Sequence, residues 1–261
     1  MNEKKQAPVI GIVGGVGPYA GLELNRRIFD NTVTDGTDQS HLEVLLFSAG
    51  ARIPDRTEYL LGRETRNPAV GIFEALRALA AAGATVAAIA CNTAHSPRIL
   101  DQVRSKMEDE GLQLELVDMI GETGAALTGK FGRGAAVGVM ASGGTMATGI
   151  YDRLQEDRCG AHRLVLPSPE IQTLVHRAIY DRGYGIKARS NPVTGKAKEE
   201  CRQAALHLAA GGAEVVVLGC TELPLALPPG SIESPALVDP AEITARALIA
   251  RAAPEKLRPL S

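Results

Sequence analysis

Short apolar runs alternate along the chain with segments whose apolar side chains recur at helical spacing. The runs predict strands at 8–13, 43–48, 86–90, 113–119, 136–141, 163–166, 215–219 and 237–239. The helical spacing predicts helices at 18–29, 67–82, 97–110, 121–130, 146–158, 169–180, 196–210 and 240–253. Strands that alternate with helices are typical of an α/β fold with mainly parallel sheets.

The pattern occurs twice along the chain. Residues 75–91 (ALRALAAAGATVAAIAC) match residues 204–220 (AALHLAAGGAEVVVLGC) 129 positions later, and residues 9–13 match residues 136–140 at the similar offset of 127. Such a repeat predicts two similar Rossmann-like lobes related by a pseudo-twofold axis, with a cleft between them. We expect residues 1–119 and 234–261 to form the first lobe and residues 120–233 to form the second.

Composition narrows the range of functions. A net charge of −2 provides no basic surface for nucleic acid, and 3% aromatic residues without Trp provide few stacking platforms. The most apolar stretch, 75–90, contains Arg77 and Gly83, which favours a helix followed by a strand over a membrane span. Four cysteines without a CxxC pair indicate neither a disulfide framework nor a metal site. With no signal-peptide pattern, we expect a cytoplasmic protein.

Cys91 and Cys220 occupy matching places at the ends of two predicted strands. Ligands bind at the carboxyl ends of parallel strands, although free cysteines are also common in apolar cores. Polar residues follow both thiols, Asn92 and Thr93 after the first and Thr221 after the second. If the lobes face each other, one thiolate can remove a proton from one face of a carbon while the other thiol protonates the opposite face.

A nucleotide-binding interpretation competes for the first turn. Residues 15–20 (GVGPYA) satisfy the G-x-G-x-x-A pattern that follows the first strand of dinucleotide-binding folds. The second predicted strand, however, ends on Ser48-Ala49-Gly50 and lacks the acidic residue that binds a ribose. Pro18 also removes a backbone N–H that a pyrophosphate would use. We therefore do not expect a nucleotide cofactor.

Four motifs together resemble the aspartate/glutamate racemase family, closest to its aspartate racemase branch. They are GGVGP at 14–18, IPDR at 53–56, ACNTAH at 90–95 and LGCTELPL at 218–225. The resemblance implies a cofactor-independent amino-acid racemase, a homodimer, in which Cys91 and Cys220 are the catalytic acid and base. Glutamate racemases carry His where this chain has Glu222, which favours the aspartate-type branch.

The same resemblance implies a set of substrate-binding residues. Arg56 corresponds to a family arginine that binds the side-chain carboxylate, and Lys187 to a lysine over the site, although its loop is longer here. Asn92, Thr93 and Thr221 are expected to bind the α-carboxylate and ammonium groups of the substrate. Ser142 and Thr145 of the second lobe are further expected substrate contacts. His95 belongs to its motif but is expected outside direct contact.

The predicted reaction interconverts L- and D-aspartate, or L- and D-glutamate, through a carbanion-like intermediate without pyridoxal phosphate. If only Arg56 faces the cleft, a broad-specificity amino-acid racemase is the alternative. An isomerase or decarboxylase of a small dicarboxylate could use the same scaffold. A non-catalytic amino-acid-binding protein is a further alternative, which the presence of both cysteines disfavours.

Overall fold

Residues 8–260, described by a computed structural model, contain two four-stranded parallel sheets. The strands are β1 (Val9–Gly14), β2 (Val44–Ser48), β3 (Ala84–Ile89), β4 (Glu115–Leu116), β5 (Ala136–Ala141), β6 (Arg163–Val165), β7 (Val215–Gly219) and β8 (Ala236–Val238). Their orders, β2-β1-β3-β4 and β6-β5-β7-β8, are equivalent. Residues 1–7, on which the signal-peptide expectation rests, and residue 261 lie outside the described part.

Helices connect the strands and cover the sheets. They are α1 (Pro18–Asp30), α2 (Arg56–Leu60), α3 (Pro68–Ala81), α4 (Pro97–Asp109), α5 (Met119–Phe131), α6 (Gly143–Ala147), α7 (Pro169–Tyr180), α8 (Gly195–Ala210), α9 (Leu223–Ala226) and α10 (Pro240–Ala252). Seven begin after an Asp, Asn, Ser or Thr whose side chain accepts a backbone N–H of the first turn. Within 8–260, no helix is long and apolar enough to cross a membrane.

The internal repeat extends to the packing of the two central strands. Gly11 in β1 and Gly138 in β5 each lie under a leucine of the helix that covers the sheet. Equivalent neighbours surround them: Leu79, Ala84 and Ala87 at Gly11, and Leu208, Ala213 and Val216 at Gly138. The predicted pair of similar α/β lobes with mainly parallel sheets is therefore confirmed.

Helices α5 and α10 are exchanged between the halves. Helix α10 follows β8 of the second sheet, yet its Ala245, Leu248 and Ile249 are buried in the core formed around β1 and β3. Helix α5 follows β4 of the first sheet, and its Ile120 and Leu127 join the core around β5 and β7. The two helices also pack against each other.

Three local expectations differ from the structure. Strand β8 pairs with β7, so residues 236–238 belong to the second sheet rather than to the first lobe, in which we placed 234–261. The helix expected to end near Arg158 stops at Ala147, because Gly149 turns left-handed (φ 59°), and short 3₁₀ helices follow. Helix α2 was not predicted, because its five residues are too few to show a helical period.

We predict that Gly138→Ala lowers the free energy of unfolding by about 1–3 kcal/mol, the usual cost of overpacking a core. A Cβ at Gly138 would lie 2.9 Å from Cγ2 of Val216, whereas the nearest atoms to a Cβ at Gly11 are 3.2 Å away. Gly11→Ala should therefore be the milder change. Urea unfolding of both variants measures the difference, and wild-type stability of Gly138→Ala would contradict the packing described.

Candidate active site

Both predicted catalytic cysteines line one small buried cavity between the halves. Cys91 lies just beyond β3 and Cys220 just beyond β7, with 6% and 9% of their surfaces exposed. The parallel sheets direct the carboxyl ends of these two strands toward the same space. The other residues that line the cavity are Val16, Arg56, Thr57, Asn92, Thr93, Ser142, Tyr180, Lys187, Thr221 and Glu222.

Most of the predicted substrate-binding residues meet in this cavity. Thr145 lies behind its wall, where its hydroxyl contacts those of Thr93 and Ser142. Lys187 reaches the cavity from the long loop that follows α7, because backbone hydrogen bonds from residues 186 and 187 to α7 fold that loop back. The roles of these residues in binding stay predictions.

Arg56 is a buried cation at the start of α2. Its guanidinium donates to the carbonyl oxygens of Val16 and Pro54, the latter at 3.2 Å. Its Nε has no acceptor among residues 8–260. Burial lowers the pKa of Arg56, but the nearby Cys91 and Asp55 raise it by more, so the net shift is upward. A positive charge therefore lies beside the Cys91 sulfur.

Cys220 lies in the opposite electrostatic environment. Its Sγ donates to Oε2 of Glu222 at 3.1 Å, and Nζ of Lys187 donates to Oε1 of the same carboxylate at 2.9 Å. Burial and, next, the Glu222 carboxylate raise the pKa of Cys220 well above its usual value, while Lys187 opposes this rise. The thiol form of Cys220 is therefore favoured.

Lys187 stays protonated in this environment. Its burial lowers its pKa, but the charge of Glu222 and the nearby Cys220 and Tyr180 raise it by more, and the net shift is upward. Its Nζ also lies 5.4 Å from the centre of the Tyr180 ring, within the range of a cation–π contact. The lysine is thus held by a carboxylate and an aromatic ring of the protein itself.

A row of hydroxyl groups links the two halves along one side of the cavity. The Tyr180 hydroxyl lies 3.0 Å from that of Thr57, which lies 3.4 Å from that of Ser142. Thr145 continues the row, 3.1 Å from Ser142 and 2.8 Å from Thr93. Because the row passes from one half to the other and back, it holds the halves close together at the cavity.

Asn92 presents an unsatisfied donor to the cavity. The Tyr151 hydroxyl, from the second half, donates to Oδ1 of Asn92. The amide Nδ2 of Asn92 is buried and has no acceptor among the described residues. A buried donor without a partner is costly, and a carboxylate oxygen in the cavity would remove that cost. This unpaired donor is the observation on which the predicted binding role of Asn92 rests.

The sequence did not identify four residues that shape this site: Thr57, Tyr151, Tyr180 and Glu222. Glu222 follows Thr221 in the second cysteine motif, and its difference from the usual His was the available signal. Thr57 directly follows Arg56, so its position gave a weaker signal. The two tyrosines lie 59 and 123 residues from the side chains they contact, and nothing in the local pattern marks them.

His95 orients the backbone of Cys91 from outside the cavity. Its Nδ1 lies 2.9 Å from the Cys91 carbonyl oxygen and its Nε2 lies 3.3 Å from the backbone nitrogen of Met119. The carbonyl can only accept and the N–H can only donate, so His95 is neutral with its proton on Nδ1. Burial lowers the pKa of His95, although Asp118 acts in the opposite direction.

We predict that His95 contributes a pH-dependent part of the stability. An unfolded histidine binds a proton below a pH of about 6.5, whereas folded His95 stays neutral to lower pH. The contribution of His95 to the free energy of unfolding is therefore fully present above that pH, and it is lost as the pH falls through the pKa of the folded state. His95→Gln should lower the free energy of unfolding by about 1–3 kcal/mol at pH 7.5 and should reduce its further loss at pH 5.5.

Urea unfolding at the two pH values measures both effects. The exposed His41 provides the matched control, and His41→Gln should keep the pH dependence of the wild type. An unchanged pH dependence in His95→Gln would contradict the neutral, buried state of this ring.

Known proteins share both the sequence pattern and the fold. A model of the family described as Asp/Glu/Hydantoin racemase matches residues 13–248. The structure of the Picrophilus torridus aspartate racemase is similar, with a TM-score of 0.77 and 24% identity, and covers 94% of each chain. An aspartate racemase homologue from Pyrococcus horikoshii gives a TM-score of 0.69 at 24% identity, over 94% of this chain and 98% of that one.

A glutamate racemase from Francisella tularensis, solved with D-glutamate, is a more distant neighbour. Its TM-score is 0.61 at 17% identity, and the match covers 98% of this chain and 84% of that one. At these identities the structural likeness establishes the shared fold. The family match, which spans most of the chain, establishes more: the protein belongs to the Asp/Glu/Hydantoin racemase family and is a racemase, as the four motifs predicted.

Proposed function

We propose that this protein interconverts the L and D forms of an acidic amino acid, aspartate or glutamate, with Cys91 and Cys220 as the two acid/base groups. One observation carries the proposal: two thiols from equivalent strand ends line the same cavity. Their surroundings differ in charge, with a guanidinium near Cys91 and a carboxylate at Cys220. One thiolate and one thiol at the same time is the state that a two-base racemase needs.

The proposed reaction moves one proton at each face of the α-carbon. The Cys91 thiolate removes the α-proton of one enantiomer, and the electrons of the C–H bond spread into the α-carboxylate. The Cys220 thiol then gives its proton to the opposite face, which leaves the other enantiomer and a Cys220 thiolate. Hydrogen-bond donors from Asn92, Thr93 and Thr221 support the charge on the carboxylate. The reverse reaction exchanges the roles of the thiols.

We predict that Cys91→Ala and Cys220→Ala each reduce racemisation by about 10²- to 10⁴-fold, the usual contribution of a general acid or base. Each variant keeps one thiol, so each should still exchange the α-hydrogen of one enantiomer with solvent deuterium. Chiral chromatography and NMR in D₂O measure the two activities. Cys201→Ala, at a buried cysteine outside the cavity, should racemise normally, and full activity in either of the first two variants would overturn the two-base scheme.

The substrate's side-chain carboxylate is assigned to Arg56. Two carbonyl oxygens hold its guanidinium in place, and its buried Nε is left without an acceptor in residues 8–260. A guanidinium fork suits a carboxylate. The Lys187–Glu222 contact favours a second candidate, a broad-specificity amino-acid racemase, because it neutralises the other cation of the cavity.

We predict that Arg56→Ala lowers kcat/KM for aspartate about 10- to 100-fold relative to that for alanine, the cost of one charged hydrogen-bonding group. Racemisation assays with both amino acids give this ratio. The ratio isolates side-chain recognition, because an effect of Arg56 on Cys91 alone would slow both substrates equally. An unchanged preference for aspartate over alanine would remove Arg56 from side-chain recognition.

The proposal extends to a cytoplasmic homodimer. The four cysteines are all free thiols, as is usual in reducing compartments. Helix α1 exposes Tyr19, Leu22 and Phe29, spaced to lie along one face, and an apolar face of this kind supports self-association.

A further inference from the structure

The last glycine of the turn after β1 is explained by a contact with Glu222. Gly17 precedes α1, and a Cβ on this residue would lie only 2.3 Å from Oε1 of Glu222. Any side chain at position 17 would displace the carboxylate. The turn therefore gives Glu222, from the second half, a place at the N-terminal end of a 13-residue helix of the first half. Negative charge is favourable at that end of a helix.

Glu222 is almost completely buried, and both of its oxygens are engaged. Oε1 accepts from Lys187 at 2.9 Å and Oε2 accepts from the Cys220 thiol at 3.1 Å. The carboxylate is therefore fixed in position by Lys187 on one oxygen and by the space that Gly17 leaves for it. Of its two partners, the one that belongs to the proposed reaction is the thiol of Cys220.

We propose that Glu222 is the positioning residue of Cys220 and the acceptor of its proton. When Cys220 acts as acid, the carboxylate holds the thiol in the orientation from which it protonates the α-carbon. When Cys220 acts as base, its S–H bond breaks, an O–H bond forms on Oε2 of Glu222, and the electron pair stays on sulfur as a thiolate. Lys187 then compensates the charge of the thiolate. This inference rests on the proposed two-cysteine racemisation.

Primary deuterium isotope effects test the role of Glu222. The effect is measured on kcat/KM for each enantiomer carrying deuterium at the α-carbon. In one direction Cys220 removes the deuteron, and in the other it only supplies a solvent proton. The Cys220→Ala variant shows which cysteine deprotonates which enantiomer, because this variant keeps α-hydrogen exchange only for the enantiomer that Cys91 deprotonates.

Glu222→Gln should make the step at Cys220 slower and lower kcat/KM for racemisation about 10- to 100-fold, the cost of one hydrogen bond to a charged group. The isotope effect should then rise for the enantiomer that Cys220 deprotonates. For the other enantiomer the isotope effect should fall towards a value of 1, because reprotonation by Cys220 becomes rate-limiting. A general loss of structure would lower kcat/KM without moving the two isotope effects in opposite directions.

Two further variants separate the carboxylate from the fold around it. Gly17→Ala should produce the same pair of opposite shifts without changing Glu222 itself, and Glu222→Asp should restore part of the wild-type values. Glu200→Gln is the matched control: this buried carboxylate pairs with Arg177 and Tyr184 outside the cavity, and its isotope effects should equal those of the wild type.

The outcomes distinguish this inference from the function on which it rests. If the wild type neither racemises acidic amino acids nor exchanges their α-hydrogen, the proposed function fails. If the wild type racemises them but Glu222→Gln and Gly17→Ala leave both isotope effects unchanged, or shift them in the same direction, Glu222 does not act through Cys220. Opposite shifts in both variants, with Glu200→Gln unchanged, support the inference.

Discussion

The exchange of α5 and α10 is the constraint on which the arrangement of the site depends. Each half of the chain completes its sheet and then gives its last helix to the core of the other half. The halves therefore cannot separate without exposing apolar surface from both cores, which is unfavourable in water. This interlock holds the carboxyl ends of β3 and β7 towards each other, and those ends carry the two thiols.

The fold is symmetric, but the charges in its cleft are not. Cys91 and Cys220 are equivalent in the repeat, whereas the residues around them differ: Arg56 comes near the first sulfur and Glu222 contacts the second. Two identical thiols with identical surroundings would favour the same protonation state. Here the neighbours differ, with a guanidinium near one sulfur and a carboxylate on the other, so the duplicated fold gives its two thiols unlike surroundings, and the proposed acid and base depend on that difference.

The sequence predicted what local pattern determines and missed what distant contacts determine. The runs 86–90 and 215–219 are continuously apolar and are followed by a cysteine and a polar residue, so the strands, the repeat and the positions of Cys91 and Cys220 could be inferred. The four motifs identified the family. The irregular chain after α6 was expected to be helical, because its side chains are compatible with a helix, whereas the left-handed backbone of Gly149 and the extended backbone of Glu156 interrupt it. Tyr151 and Tyr180 reach the cavity through tertiary packing, which a single sequence does not show.

The turn after β1 shows why a short motif needs its surroundings. In a dinucleotide-binding fold, the glycines of this pattern let the backbone approach a pyrophosphate. Here the same turn is occupied by side chains: the carbonyl of Val16 accepts from Arg56, and Gly17 leaves room for the carboxylate of Glu222. A pyrophosphate at this place would meet that carboxylate. The glycines thus serve close approach in both cases, but in this protein Gly17 brings the turn against a charged residue of the other half.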